Sequence, residues 1–137
     1  MPDALVITLR WIHIASMATL LGGMIFWSLV LAPAASRLSS GENNALLDRA
    51  AAAFRPLIFL AMGGLLFSGI VNYLSNPGHS KFYHMLIGIK FLFVGHVFAV
   101  AFLISKPHNP RRTRLAIGAM VSGLIILAIS AWLRRIF

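Results

Sequence analysis

The sequence contains no cysteine among its 137 residues. That excludes disulfides, thiolate metal sites and thiol catalysis. Carboxylates are almost as scarce, since Asp3, Glu42 and Asp48 are the only acids. Charged side chains amount to 11%, against about 25% in an ordinary soluble domain. Apolar residues make up 59%, where about 45–50% is typical. A soluble fold of this length has too little interior to hide so much apolar surface, and a disordered chain is poor in such residues. The length suits one compact unit.

Twelve Lys and Arg against three acids give a net charge of +9. The positive charges lie between long apolar runs rather than in a dense tract. That is the ordinary pattern of residues flanking membrane spans. With no recognised motif or basic stripe, nucleic acid is excluded as a partner, and the lipid bilayer is the expected surrounding.

Uncharged runs mark the spans. Twenty-six residues separate Arg10 from Arg37, twenty-five separate Arg55 from Lys81, and nineteen separate Arg114 from Arg134. Between Lys81 and Lys106 the single charge is Lys90. A helix crosses the hydrocarbon core with about 20 apolar residues. The expectation is an all-α protein of four transmembrane helices over 5–33, 50–74, 81–105 and 112–134. Unbroken apolar runs, without alternation, exclude a β-barrel. The first run exceeds the apolar stretch of about 7–15 residues in a cleaved signal peptide.

The connections read as short. Ser39-Ser40-Gly41 falls in an expected loop from Pro33 to Asp48. Asn76-Pro77-Gly78 signals a tight turn, and Pro107-His108-Asn109-Pro110 stops the third helix. Short links between long helices give an up-down-up-down bundle forming one integral membrane domain over 1–137. No second domain or internal repeat stands out. The connections after helices one and three carry seven Lys and Arg against four on the other side. This bias places them in the cytoplasm, with both termini outside.

Lys90 is the most informative residue. A lysine within a span costs at least about 2.5 kcal/mol to insert and is a functional candidate by default. The plainer alternative is a stem that snorkels towards the interface. None of the three acids lies in a span, so Lys90 has no carboxylate counter-ion within the bundle. Its candidate partners are a lipid phosphate, an anionic substrate or the propionate of a haem. Acid-free spans also argue against a proton pump built on Asp or Glu relays.

His13 is the second candidate. In an up-down bundle helices one and three run parallel, and His13 and Lys90 each lie about 12 Å from the helix start. His13 heads a stripe of Met17, Leu20, Met24, Trp27 and Leu31 at helical spacing. Imidazole with thioether suits copper or haem iron, although methionine at such positions also simply packs. His96 lies deep in helix three, on a different face from Lys90, and His84 lies near the start of that helix. With His13 they form a candidate metal set without diagnostic spacing. His79 and His108 fall in turns. The glycines, including Gly22-Gly23, Gly63-Gly64 and Gly118, read as points of close helix approach.

These residues carry a family resemblance. Arg10-Trp11-Ile12-His13, Leu21-Gly22-Gly23 and Ser28 through Pro33 resemble the opening of copper-resistance protein D (CopD) domains. Phe54-Arg55-Pro56 and Leu66-Phe67-Ser68-Gly69-Ile70 are similar to their second helix, and Gly88-Ile89-Lys90-Phe91-Leu92 to the centre of the next. The histidine in helix one and the lysine in helix three also resemble those of HemJ-type protoporphyrinogen oxidases, small four-helix membrane proteins that bind haem b. The likeness covers residues 8–105. By resemblance His13 corresponds to the haem-linked histidine and Lys90 to the essential lysine. From Leu115 to Leu133 there is neither acid nor proline, where HemJ-type proteins carry an Asn-Glu-x-Pro-like motif. The resemblance thus implies possible oxidoreductase chemistry without that family's fourth-helix motif.

The expectation is a multi-pass protein of the plasma (inner) membrane with a cofactor site between helices one and three. Haem b would be held by His13, Lys90, Met17 and Met24, with Lys90 also the catalytic candidate, in a redox or electron-transfer role. The alternatives are CopD-like copper handling through His13, Met17, Met24, His84 and His96, or a non-catalytic subunit or scaffold of a membrane complex. A membrane redox partner or a second copy of the chain is the expected protein partner.

Overall fold

The computed structural model describes residues 2–75, 77–78, 80–106 and 110–136. Four helices long and apolar enough to cross a membrane account for nearly all of them. We label them α1 (Asp3–Ala35), α2 (Ser40–Leu74), α3 (Lys81–Ser105) and α4 (Arg112–Ile136). The chain is therefore an all-α, four-helix, multi-pass membrane protein. The closest packing joins α1 to α2 and α3 to α4, so the bundle is two helical hairpins laid together. Helices α1 and α3 lie diagonally across it.

Two helix boundaries depart from expectation. The segment expected as a loop from Pro33 to Asp48 is largely helical, and α2 begins at Ser40. The cause is a capping box. Ser39 Oγ accepts from the Glu42 amide at 3.4 Å, and Glu42 Oε2 accepts from the Ser39 amide at 3.4 Å. Reciprocal satisfaction of these donors starts the helix ten residues before the expected 50. Helix α1 in turn continues through Pro33 to Ala35. Proline cannot donate an amide hydrogen bond, and its ring crowds the carbonyl four residues back. The chain absorbs this by widening to a π-helical turn over Trp27–Leu31, immediately before the proline. Within α2, Pro56 is accommodated with the helix unbroken.

The other punctuation is local. Ser80 Oγ accepts from the Tyr83 amide at 3.2 Å and starts α3. Gly78, at φ 95°, takes the left-handed backbone of the preceding turn, which costs glycine little. Asn76, His79 and Pro107-His108-Asn109 lie outside the described residues, and with them part of both expected turn signals.

The core is concentrated towards the end that carries the α1–α2 and α3–α4 connections. Leu20, Met24 and Trp27 of α1 meet Ala51, Ile58 and Ala61 of α2. Val97, Val100, Ala101 and Ile104 of α3 meet Ala116, Ala119 and Ile126 of α4. A T-shaped contact between Phe59 and Phe102, with ring centroids 6.3 Å apart, joins the hairpins there. The first half of α3, from Lys81 through His96, contributes no fully buried side chain. The bundle is closed at one end and more open towards the other.

Arg112 locks the closed end. Its residue is 4% exposed. Nη1 donates to Asp48 Oδ1 at 2.9 Å, Nε to the Ile104 carbonyl at 3.1 Å and Nη2 to the Lys106 carbonyl at 2.8 Å. The guanidinium lies 5.8 Å from the Trp27 ring centroid, within cation–π range. One side chain thereby joins α4 to α1, to α2 and to the end of α3. It also satisfies carbonyls at a helix C-terminus that have no partner within the helix. Breaking a buried pair leaves the other charge uncompensated, at a cost of about 3–5 kcal/mol. Arg112→Gln is expected to lower stability by about 3 kcal/mol in equilibrium unfolding from micelles. Arg112→Lys should recover only part, because an ammonium lacks the planar fork. An unchanged unfolding midpoint in Arg112→Gln would overturn this role.

Candidate functional site

Each hairpin seam carries a histidine–serine bridge. On α1, His13 is half-buried, and its Nδ1 lies 2.9 Å from Ser68 Oγ on α2. Ser68 is 1% exposed. Its Oγ lies 2.6 Å from the Gly64 carbonyl, which can only accept. A hydroxyl carries one proton, and here that proton goes to Gly64. The Ser68 oxygen must then accept from His13 Nδ1–H. The hydrogen-bond network thus assigns the Nδ1–H tautomer, leaving the lone pair of the neutral ring on Nε2.

Close helix approach makes this bridge possible. A side chain on Gly64 would run into Ser16 Oγ and come within 3.3 Å of Ile12 on α1. A side chain on Gly23 would meet the Phe54 ring. Gly69 presents only backbone beside the His13 ring, where an added Cβ would sit 4.0 Å from Cε1. The small residues therefore set the spacing at which a serine on α2 reaches a histidine on α1.

Lys90 is partly buried on α3 and lies within electrostatic reach of the His13 ring. The two helices that carry them are the diagonal pair of the bundle, so any group that meets both must span its interior. Asp3 and Glu42 occupy first turns of helices, and Asp48 binds Arg112. No acid of the chain therefore lies in the membrane beside Lys90. The chain thus has a half-buried histidine with a defined lone pair and a partly buried lysine without a carboxylate, the lysine on the half of α3 that contributes no fully buried side chain.

The remaining candidates fall elsewhere. Met17, one turn beyond His13, is partly buried against the core. Met24 is 2% exposed inside the core. It lies eleven residues from His13, about 16 Å along the helix, and there it serves packing. His84 is exposed near the start of α3, with Nδ1 3.3 Å from Tyr73 Oη. His96 is exposed on α3 and belongs to the second hairpin, with Nδ1 2.8 Å from Ser122 Oγ on α4. Among the described residues, no three His, Asp or Glu side chains gather as a metal-binding group. His13, His84 and His96 are thus not assembled into one site.

Sequence reasoning missed Ser68 and Ser122, which alone looked uninformative. Their signal was present in the repeated pattern Gly64-x-x-x-Ser68-Gly69 and Gly118-x-x-x-Ser122-Gly123. Each pattern lies on the second helix of a hairpin, and each serine holds a histidine of the first helix. Arg112 and Asp48 were missed too, because 64 positions separate them in the chain. No family model, curated protein or solved structure matches this chain.

The tautomer is directly testable. Imidazole 15N NMR of the purified protein should place the proton of neutral His13 on Nδ1, and Ser68→Ala should abolish that preference. The same substitution is expected to cost about 1–2 kcal/mol of stability, because a buried donor loses its acceptor. Gly64→Val should cost about 1–3 kcal/mol by overpacking the α1–α2 seam. A His13 proton found on Nε2 would overturn the assignment.

Proposed function

We propose that this protein binds haem b within the membrane and serves a redox or electron-transfer role there. The observation that carries the reading is a half-buried histidine whose Nε2 lone pair is fixed by Ser68, in a bundle where Lys90 has no carboxylate of its own. Haem b can take an imidazole nitrogen at its iron, and its propionates are anions that a nearby cation stabilises. His13 would ligate the iron through Nε2, Ser68 would hold the ring in the ligating tautomer, and Lys90 would neutralise a propionate. A bound haem supplies reversible one-electron chemistry at its iron. Met17, one turn beyond His13 and packed against the core, would add apolar surface beside it.

The residues fit the group in their donor chemistry. A metal-ligating histidine commonly donates its other N–H to a second group that fixes its orientation, and Ser68 Oγ is positioned to accept it. The same arrangement weighs against copper at His13, because the Lys90 ammonium repels a bare metal cation and attracts an anionic cofactor. The resemblance to CopD and HemJ-type proteins points in the same direction. We place the protein in the plasma (inner) membrane, passing electrons to a membrane redox partner or a second copy of the chain. Whether it is a HemJ-like oxidase is a narrower matter, since α4 lacks that family's acidic motif.

Absorption spectra of detergent-purified protein, air-oxidised and then dithionite-reduced, test the reading. The expected result is a Soret band that shifts on reduction and is lost in His13→Ala. Ser68→Ala should weaken haem binding about 10-fold, within the range for loss of a group that orients a ligand. Lys90→Met should lower haem retention while leaving the unfolding midpoint of the haem-free protein unchanged. A featureless spectrum from protein made with ample haem overturns the proposal. Copper in elemental analysis would then favour metal handling, and its absence a scaffold subunit.

A further inference from the structure

The second hairpin carries a separate cavity of about 460 Å³, lined by His96, Arg111, Arg114, Leu115 and Gly118. This volume lies within the range of about 300–1,000 Å³ usual for small-molecule sites. Its polar lining is entirely basic or imidazole, with no carboxylate. Arg114 and His96 are both exposed on the outside of the α3–α4 pair. Neither His13 nor Lys90 lines this cavity.

Position along the helix defines the shape of the occupant. Arg111 and Arg114 stand at the start of α4, at the level where a span leaves the hydrocarbon. Gly118 lies seven residues beyond Arg111, about 10 Å deeper. The lining therefore runs from two guanidinium groups at the start of the span to Leu115 and Gly118 deeper along α4. Gly118 keeps it open beside the imidazole, since an added Cβ there would sit 3.8 Å from His96 Cε1. Ser122 engages His96 Nδ1, which leaves Nε2 as the ring nitrogen for a polar headgroup. Basic pockets between transmembrane helices recognise anionic headgroups, and guanidinium suits phosphate geometry better than ammonium does.

We propose that this groove is a binding site for an anionic phospholipid. Arg111 and Arg114 hold the phosphodiester, His96 contacts the headgroup, and an acyl chain descends past Leu115 and Gly118. The site is independent of the haem reading, because it uses none of the residues assigned to that cofactor.

The experiment compares retention of phosphatidylglycerol and phosphatidylcholine of identical acyl chains by native mass spectrometry. Thermal unfolding of the full chain in each lipid accompanies it. Phosphatidylglycerol is expected to be retained at least 10-fold better and to raise the unfolding temperature. Arg111→Gln with Arg114→Gln should abolish the preference. Gly118→Leu should do the same by filling the groove, since its Cβ would sit at ordinary contact distance from His96 Cε1 and the rest of the side chain would extend into the space beside it. Unfolding temperatures in phosphatidylcholine must match the wild type for a variant to count, and either variant suffices. Equal retention of the two lipids, or an undiminished preference in a folded variant, overturns the proposal. Protection by inorganic phosphate equal to that by phosphatidylglycerol also overturns it, since the site would then read a free anion rather than a lipid.

Discussion

The bundle depends on one buried guanidinium. Arg112 stands where four chain segments converge, and each of its bonds reaches a different requirement. Asp48 neutralises its charge, the carbonyls of Ile104 and Lys106 gain donors at the end of α3, and the Trp27 ring covers its face. In a membrane protein apolar burial drives helix association weakly, because lipid tails are as apolar as leucine. A charged group paired and hydrogen-bonded in this way can then fix the arrangement of otherwise interchangeable apolar helices. The interior core packs towards this lock, and the opposite half of α3 is left with no fully buried side chain.

That asymmetry gives the candidate site its character. His13 and Lys90 lie away from the lock, in the part of the bundle where α3 packs least tightly. The α1–α2 hairpin makes the histidine exact in orientation, through Gly64, Ser16 and Ser68. The lysine comes from the other hairpin. A site shared between two hairpins can accept a flat group between them while each hairpin keeps its own packed seam. The second hairpin repeats the histidine–serine bridge at His96 and Ser122, but presents it outward beside two arginines. One local motif therefore serves two environments, the protein interior and the lipid-facing surface.

How much was legible varied with the range of the interaction. The four spans could be read from uncharged runs because the hydrocarbon thickness sets the length of apolar helix required. The boundary at Ser40 was legible in principle, since Ser39 and Glu42 form a capping box three residues apart. The glycine and serine residues around Ser39 mimic a loop, and that masked it. Helix continuation through Pro33 was not legible, because it rests on a π turn formed before the proline. For the site, Lys90 and His13 stood out because polar groups in a span are costly. Their similar depths followed from rise per residue. Ser68 did not stand out, because a hydroxyl in a transmembrane helix can bond its own backbone and needs no partner.

By itself the sequence determined the class of structure and its solvent. Composition, run length and the placement of basic residues leave four membrane-crossing helices as the physical solution, and the scarcity of acids leaves Lys90 without a carboxylate in the bilayer. The tertiary structure decided which polar groups meet. It set Ser68 against His13 and Ser122 against His96, placed Met24 in the core, and brought Asp48 to Arg112. Those pairings depend on helix rotation and on the diagonal placement of α1 and α3. An apolar helix surface in lipid encodes rotation only weakly, because most of its faces are equally acceptable to the solvent.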